Sequence, residues 1–196
     1  MCNNKRKKNG VNILIENIKS EFIKMCEENH KRTGYDYWNN HIKYVVKIAN
    51  ELAEKYGADK EIVEISAILH DIAKVLEVRE NESHNIVGAE IACEFLQKYS
   101  LSENQIKQIQ NCILKHSGEV DADNLTIEEW CVRNADAISV LHNITILYYL
   151  AFNEYRMDYS KGQEYVKDMI TTKFNSIDEK LQIKYKNQYN HIISAI

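Results

Sequence analysis

The chain has no proline in its 196 residues and only 6 glycines. That leaves little punctuation for turns and favours long helices. It also has no paired cysteines. Cys2, Cys26, Cys93, Cys112 and Cys131 are scattered with no C-x-x-C step, and an odd number without a framework reads as reduced thiols in a cytoplasmic protein. Cys93, Cys112 and Cys131 fall in helical segments and read as small core residues. A long hydrophobic span is missing too. The uncharged run Ala137 to Asn153 falls short of the ~20 residues a membrane helix needs and contains Ser139, His142, Asn143 and Thr145, so it is expected to be a buried core helix. Nor does positive charge prevail: Lys and Arg number 25 against 29 Asp and Glu, a net charge of −4. With a pI near 6.0, this balance argues against a dedicated nucleic-acid binder, while a small polyanionic substrate stays open. The basic run Lys5 to Lys8 is followed by an apolar stretch too short for a signal peptide. Residues 1–10 are therefore expected to be a disordered basic tail. No membrane partner is expected, and both a monomer and a homodimer fit.

What the chain does have is helical periodicity almost throughout. A first amphipathic helix is expected from about Val11 to Glu28, and a second from Trp38 to Tyr56, closed by Gly57. A third runs from Lys60 to about Leu76 and a fourth from His84 to Tyr99. Ser102-Glu-Asn-Gln105 and Thr126-Ile-Glu-Glu129 have the form of capping boxes. The first opens a helix ending near His116 and Gly118. The second opens a long helix through Asp136 to about Phe152. Two further amphipathic segments follow, around Gly162–Phe174 and Ser176–Ile193. With no repeat or linker, residues 11–196 read as one all-α domain, its core at about 35–150, with 151–196 completing a pocket wall.

Six potential metal ligands punctuate these helices in order: His41, His70, Asp71, His84, His116 and Asp136. Val45, Ile48 and Leu52 place His41 on the buried face of its helix, and Ile109 and Ile113 do the same for His116. Alone, either reads as a core histidine, and His84, at a helix start, as a cap. Asp136 shares a face with Val132 and Val140, where an unpaired carboxylate is costly. Neighbouring residues on a helix point about 100° apart, so His70 and Asp71 converge on one site only near a helix end or in a wide pocket. Histidine and carboxylate are the ligands divalent transition metals prefer, and two ions sharing Asp71 account for the whole set. Lys74 lies one turn beyond His70 on the same face.

The strings NNHIKYVVKIANELAEKYGAD, ISAILHDIAK, SHNIVGAEIA, ILKHSG and RNADAIS together resemble the HD-domain superfamily of metal-dependent phosphohydrolases, from about Tyr35 to Leu150. The resemblance implies a helical HD-domain bundle with the metal site at its centre. It implies that His41, His70, Asp71 and Asp136 hold one metal, and that His84 and His116 add a second with Asp71 bridging. The nearest kin would be small stand-alone bacterial enzymes that cleave nucleotides. It also makes Lys74 a phosphate clamp; Asp71 is the other catalytic candidate, orienting the attacking water, and Lys43, Arg79 and Lys115 are weaker anchoring candidates by their positions. Small members often carry Arg three residues after the first His; here Tyr44 stands there, with Lys43 beside it.

The expected function is hydrolysis of a nucleotide or related phosphate compound, at a phosphoanhydride bond, by metal-activated water. One or two ions per chain are expected, Mn or Fe favoured and Co, Ni or Zn also suited. The competing readings are a di-iron oxygenase of the HD type and a non-catalytic nucleotide-sensing module with a structural metal. A nuclease fits the acidic balance less well. Tyr35, Tyr37, Trp38 and Trp130 are candidates both for stacking a base and for filling the core, with the core favoured for Trp130.

Overall fold

The computed structural model describes the backbone of residues 2–77 and 82–196, with side chains from Asn12 onward in that range. Every regular element among the described residues is helical. α1 (Cys2–Thr33) leads through a π-helical turn (Trp38–Ile42) into α2 (Lys43–Tyr56), then α3 (Lys60–Leu69), α4 (Ile72–Leu76), α5 (His84–Leu96) and α6 (Glu103–Lys115). A 3-10 turn (Ala122–Asn124) precedes α7 (Ile127–His142) and α8 (Thr145–Tyr149). A second π-helical turn (Leu150–Glu154), α9 (Tyr159–Asn175) and α10 (Glu179–Ala195) complete the chain.

Local chemistry explains most of these boundaries. Gly57 closes α2 in the left-handed conformation (φ 76°), where a Cβ would be strained. Asp59 then opens α3 by accepting the backbone N–H groups of Glu61 and Ile62. Both capping boxes form, Ser102 with Gln105 at α6 and Thr126 with Glu129 at α7. α3 is apolar nearly all round. Ile62, Val63, Ile65, Ala67, Ile68 and Leu69 are all buried, and the helix packs against α1, α2, α6 and α7. Only Lys60, Glu61 and Glu64 near its start reach toward solvent, so the rest of the helix sits in the centre, where each fully buried isoleucine contributes roughly 1.5–3 kcal/mol of transfer free energy. Asn29 on α1 donates its buried amide to the Val75 carbonyl (3.0 Å), tying α1 to α4.

Three expectations need revision. α1 starts at Cys2 rather than at about Val11 and ends at Thr33 rather than at about Glu28; Lys and Arg are good helix formers and no proline intervenes. The helix expected over Lys60–Leu76 is two helices, because Asp71 leaves helical geometry (φ −107°, ψ 22°) and its carbonyl accepts the first N–H groups of α4, from Lys74 and Val75. The helix expected through Asp136 to Phe152 likewise breaks after His142. Asn143 is extended (φ −151°), and its side-chain oxygen accepts the Thr145 N–H at 3.0 Å, offering the backbone a local alternative to the helix. The two arms, Ile127–His142 and Thr145–Glu154, meet at 80°. No single helix among the described residues is long and apolar enough to cross a membrane, and the bent pair passes by length and composition only. Within it, Asn134 to Leu141 are all buried in the domain.

Candidate metal centre

Five short segments deliver rings and carboxylates to one point. His41 sits in the π-helical turn before α2, a wide-backbone feature frequent at functional sites. His70 ends α3, and Asp71 occupies the break that follows. The α3–α4 break answers the geometric objection to neighbouring ligands: off the helix, both side chains reach the same point. His84 is the first residue of α5, His116 ends α6, and Asp136 lies mid-way along α7. His84 is part-exposed and the other five are buried.

The ring nitrogens meet head-on. His41 Nε2 is 3.2 Å from His70 Nε2, and His84 Nε2 is 3.2 Å from His116 Nε2. Asp71 lies between the pairs. Its Oδ2 is 3.4 Å from His41 Nε2 and 3.6 Å from His70 Nε2, and its Oδ1 is 3.7 Å from the Nε2 atoms of His84 and His116. Asp136 Oδ1 completes the first group at 3.4 Å from His41 Nε2 and 3.7 Å from His70 Nε2. Donor atoms of His41, His70 and Asp71 all fall within 4.8 Å of one another, as do those of Asp71, His84 and His116.

The surroundings choose which nitrogen carries each proton. His70 Nδ1 faces the Ala67 carbonyl at 2.8 Å and His116 Nδ1 faces the Ile113 carbonyl at 2.6 Å, so in the neutral ring Nδ1 donates and Nε2 keeps its lone pair. Ser139 gives its hydroxyl proton to the Asp136 carbonyl (2.7 Å), which leaves its oxygen to accept from His41 Nδ1 at 3.4 Å. His70 and His116 so held turn their Nε2 lone pairs toward the His41 and His84 rings 3.2 Å away, a convergence of ligand atoms suited to a cation. Asp71 Oδ1 points the same way. It is buried and accepts no hydrogen bond of good geometry, although the Lys74 ammonium lies at 2.9 Å. The donor set and this orphaned oxygen fit divalent transition metals.

Charge states agree with ligand duty. Burial pushes His70 down to about 4 and His84 down to about 3, so both rings are neutral at pH 7. Burial works to raise Asp71 and Asp136, but neighbouring cations win. The Lys74 ammonium holds Asp71, and the Lys173 ammonium with His41 holds Asp136, well below the usual carboxylate range. Burial pulls His41 down, yet its hydrogen bonds and charge interactions with Asp136 and Asp71 outweigh it and raise the ring.

The weaker anchoring candidates are placed differently. Lys74, one third exposed, reaches both Asp71 oxygens (2.9 and 3.1 Å). Lys43 is exposed and donates to Asn39 (3.3 Å), away from the cluster. Lys115 is held by both oxygens of the buried Glu129 at 2.9 Å. Arg79 lies outside the described residues. Tyr35 and Tyr37 are buried and pack with Tyr149, and Trp130 packs on Tyr56 while donating to Asp178. Sequence reasoning missed three residues. Ser139 was within reach, since it lies three residues after Asp136 on the same helix face. Lys173, whose Nζ is 2.6 Å from Asp136 Oδ2, and Arg133, which donates to the Lys115 and Gly118 carbonyls around His116, carry no motif.

Comparison with known proteins adds the following. Residues 39–141 match the family described as HD domain. Ribonuclease Y of Fusobacterium nucleatum subsp. nucleatum is 33% identical over 130 residues, 66% of this chain and 24% of that protein. Ribonuclease Y of Enterococcus faecalis is 34% identical over 120 residues, 61% of this chain and 21% of that protein. This chain thus spans about a quarter of the length of such relatives. Among solved structures, a predicted HD superfamily hydrolase from an uncultured Thermotogales bacterium aligns with a TM-score of 0.52 at 20% identity, covering 78% of this chain and 85% of that one. At that identity the likeness speaks for the fold alone.

Proposed function

Because this chain belongs to the HD-domain family, whose membership supports a metal-dependent hydrolase in general, we propose that it is a phosphohydrolase acting on a small phosphorylated compound such as a nucleotide, at a phosphoanhydride bond. The observation that carries the reading is the convergence of four Nε2 atoms and two carboxylates in two groups that share Asp71. His41, His70, Asp71 and Asp136 would hold one ion, and Asp71, His84 and His116 a second. When bound, such ions supply an activated water and neutralise charge on a phosphate oxygen. The chain's own residues do the rest. The carbonyls of Ala67 and Ile113, with Ser139, keep the rings in the ligating tautomer. Lys74, partly exposed on the same carboxylate, is placed to draw a phosphate oxygen to the cluster. A groove of about 570 Å³ lined by Ser83, Asn85, Ile86, Leu114, Ser117 and Val120 among others lies next along the chain from His84 and His116, although none of the six ligand candidates lines it.

A second reading, cleavage of an RNA phosphodiester, is favoured by the matches to ribonuclease Y. One screen tests both. Purified protein with Mn²⁺ is offered nucleotides, dinucleoside polyphosphates, phosphomonoesters and single-stranded RNA, with Asp71→Ala as control. Release of orthophosphate or pyrophosphate from the small substrates, lost in the variant, is the expected result. RNA cleavage without it moves the assignment to the second reading. Oxygen consumption by iron-loaded protein with neither product overturns both.

A further inference from the structure

α9 lies beyond the residues that match the HD domain, yet it sends a lysine into the site. Lys173 Nζ approaches Asp136 Oδ2 at 2.6 Å, leaving Oδ1 turned to the His41 and His70 rings. Its backbone is fixed. Val166, Ile170 and Phe174 bury the inner face of α9, and just past its end the Asp178 N–H donates to Asn134 Oδ1 on α7 at 2.8 Å. Its side chain is 25% exposed, so the ammonium on Asp136 also borders solvent. Lys74 stands in the same relation to the other carboxylate, Asp71, from α4.

Two ammonium groups thus stand against the two carboxylates of the cluster, one on each. Every divalent ion that enters adds its full charge, which repels both lysines and which only a bound anion offsets. We propose that Lys173 is a second anion anchor of this site. It restrains Asp136 through Oδ2 and lowers cation affinity, and it supplies a charged donor to a phosphate oxygen once cations are bound. The inference rests on the phosphohydrolase reading for the identity of the anion as a phosphate.

The prediction is a crossed pair of shifts, which a merely structural lysine would not produce. The full chain is titrated calorimetrically with Mn²⁺, and the Mn²⁺-loaded protein is then titrated with inorganic phosphate. Lys173→Met should bind Mn²⁺ about tenfold more tightly and phosphate about tenfold more weakly, since one unit charge a few ångströms away has left the site. Lys173→Arg should keep both values near wild type. Weaker Mn²⁺ binding in Lys173→Met, or unchanged phosphate binding, overturns the proposal. Where Lys173→Met melts early in chelator, Lys173→Gln, which retains a donor for Oδ2 without the charge, serves in its place. The two readings fail separately. The crossed shift in a protein that hydrolyses nothing ends the proposed activity alone, while an active hydrolase without the shift ends the role of Lys173 alone.

Discussion

Replacing Asp71 by asparagine removes the one side chain that both ligand groups share, while nearly keeping its shape. The consequence is best read as metal-dependent stability. A ligand that binds only the folded state at one hundred times its Kd stabilises by about 2.7 kcal/mol per site. For a chain of this size, 1 kcal/mol moves the Tm by roughly 2–4 °C. One occupied site therefore raises the Tm by about 5–11 °C and two independent sites by about twice that, so the wild-type shift itself reports how many ions bind. Thermal unfolding is followed in chelator and in Mn²⁺, for wild type, Asp71→Asn and His84→Ala. Asp71→Asn should lose nearly the whole shift. His84→Ala touches only the second group and should keep the shift of one site. The chelated melts separate loss of ligand from loss of fold, since the part-exposed Lys74 can turn to water when its carboxylate is gone. An Asp71→Asn protein that keeps the full metal-induced rise would refute the shared-ligand argument.

Three further outcomes follow from contacts around the centre. Ser139→Ala removes the acceptor opposite His41 Nδ1 and should weaken Mn²⁺ binding by about 10–100-fold in calorimetry; unchanged affinity would mean that Ser139 does not set that tautomer. Gly162→Ala would place a Cβ 2.2 Å from Phe152 Cε1, so the ring between α9 and the second π-helical turn must shift, at a cost of about 1–3 kcal/mol in denaturant unfolding. A wild-type midpoint would contradict that overlap. The third concerns acid. Without metal, folded His70 and His84 titrate at about 4 and about 3, and burial also lowers His142, whereas the unfolded chain takes up these protons near 6.5. Their contribution is present above the unfolded value and lost as pH falls below it. The raised His41 has the opposite sign, contributing below about 6.5 and losing it as pH rises through its folded value. With His70 and His84 depressed this far, unfolding in chelator should become easier from about pH 6.5 down to pH 4. As pH falls further, through their depressed values, Asp71 and Asp136 lose their contribution too. Greater stability at pH 5 than at pH 7 would refute the assignment.

How far the sequence carries the argument depends on what kind of residue each task demands. The helices at Gly57, Ser102 and Thr126 were legible because left-handed C-caps and capping boxes need particular residues at fixed offsets. The six ligand candidates were legible because few side chains offer a nitrogen or oxygen lone pair to a cation. The break at Asp71 was not, since the apolar pattern from Ile62 to Leu76 runs through it without a breaker. There, tertiary convergence on one point overrides local periodicity. The turn at Asn143 was half legible: asparagine beside threonine is turn chemistry, but the uncharged run around it reads equally well as continuous helix. The tautomers rest on the backbone carbonyls of Ala67 and Ile113, groups that every residue possesses. The charge balance rests on Lys173, a common residue far along the chain from Asp136, which it reaches only because α9 packs on α7. The parts that bind a cation thus announce themselves by residue type. The parts that tune it are made of ordinary serines, lysines and carbonyls, and only the fold shows which of them are used.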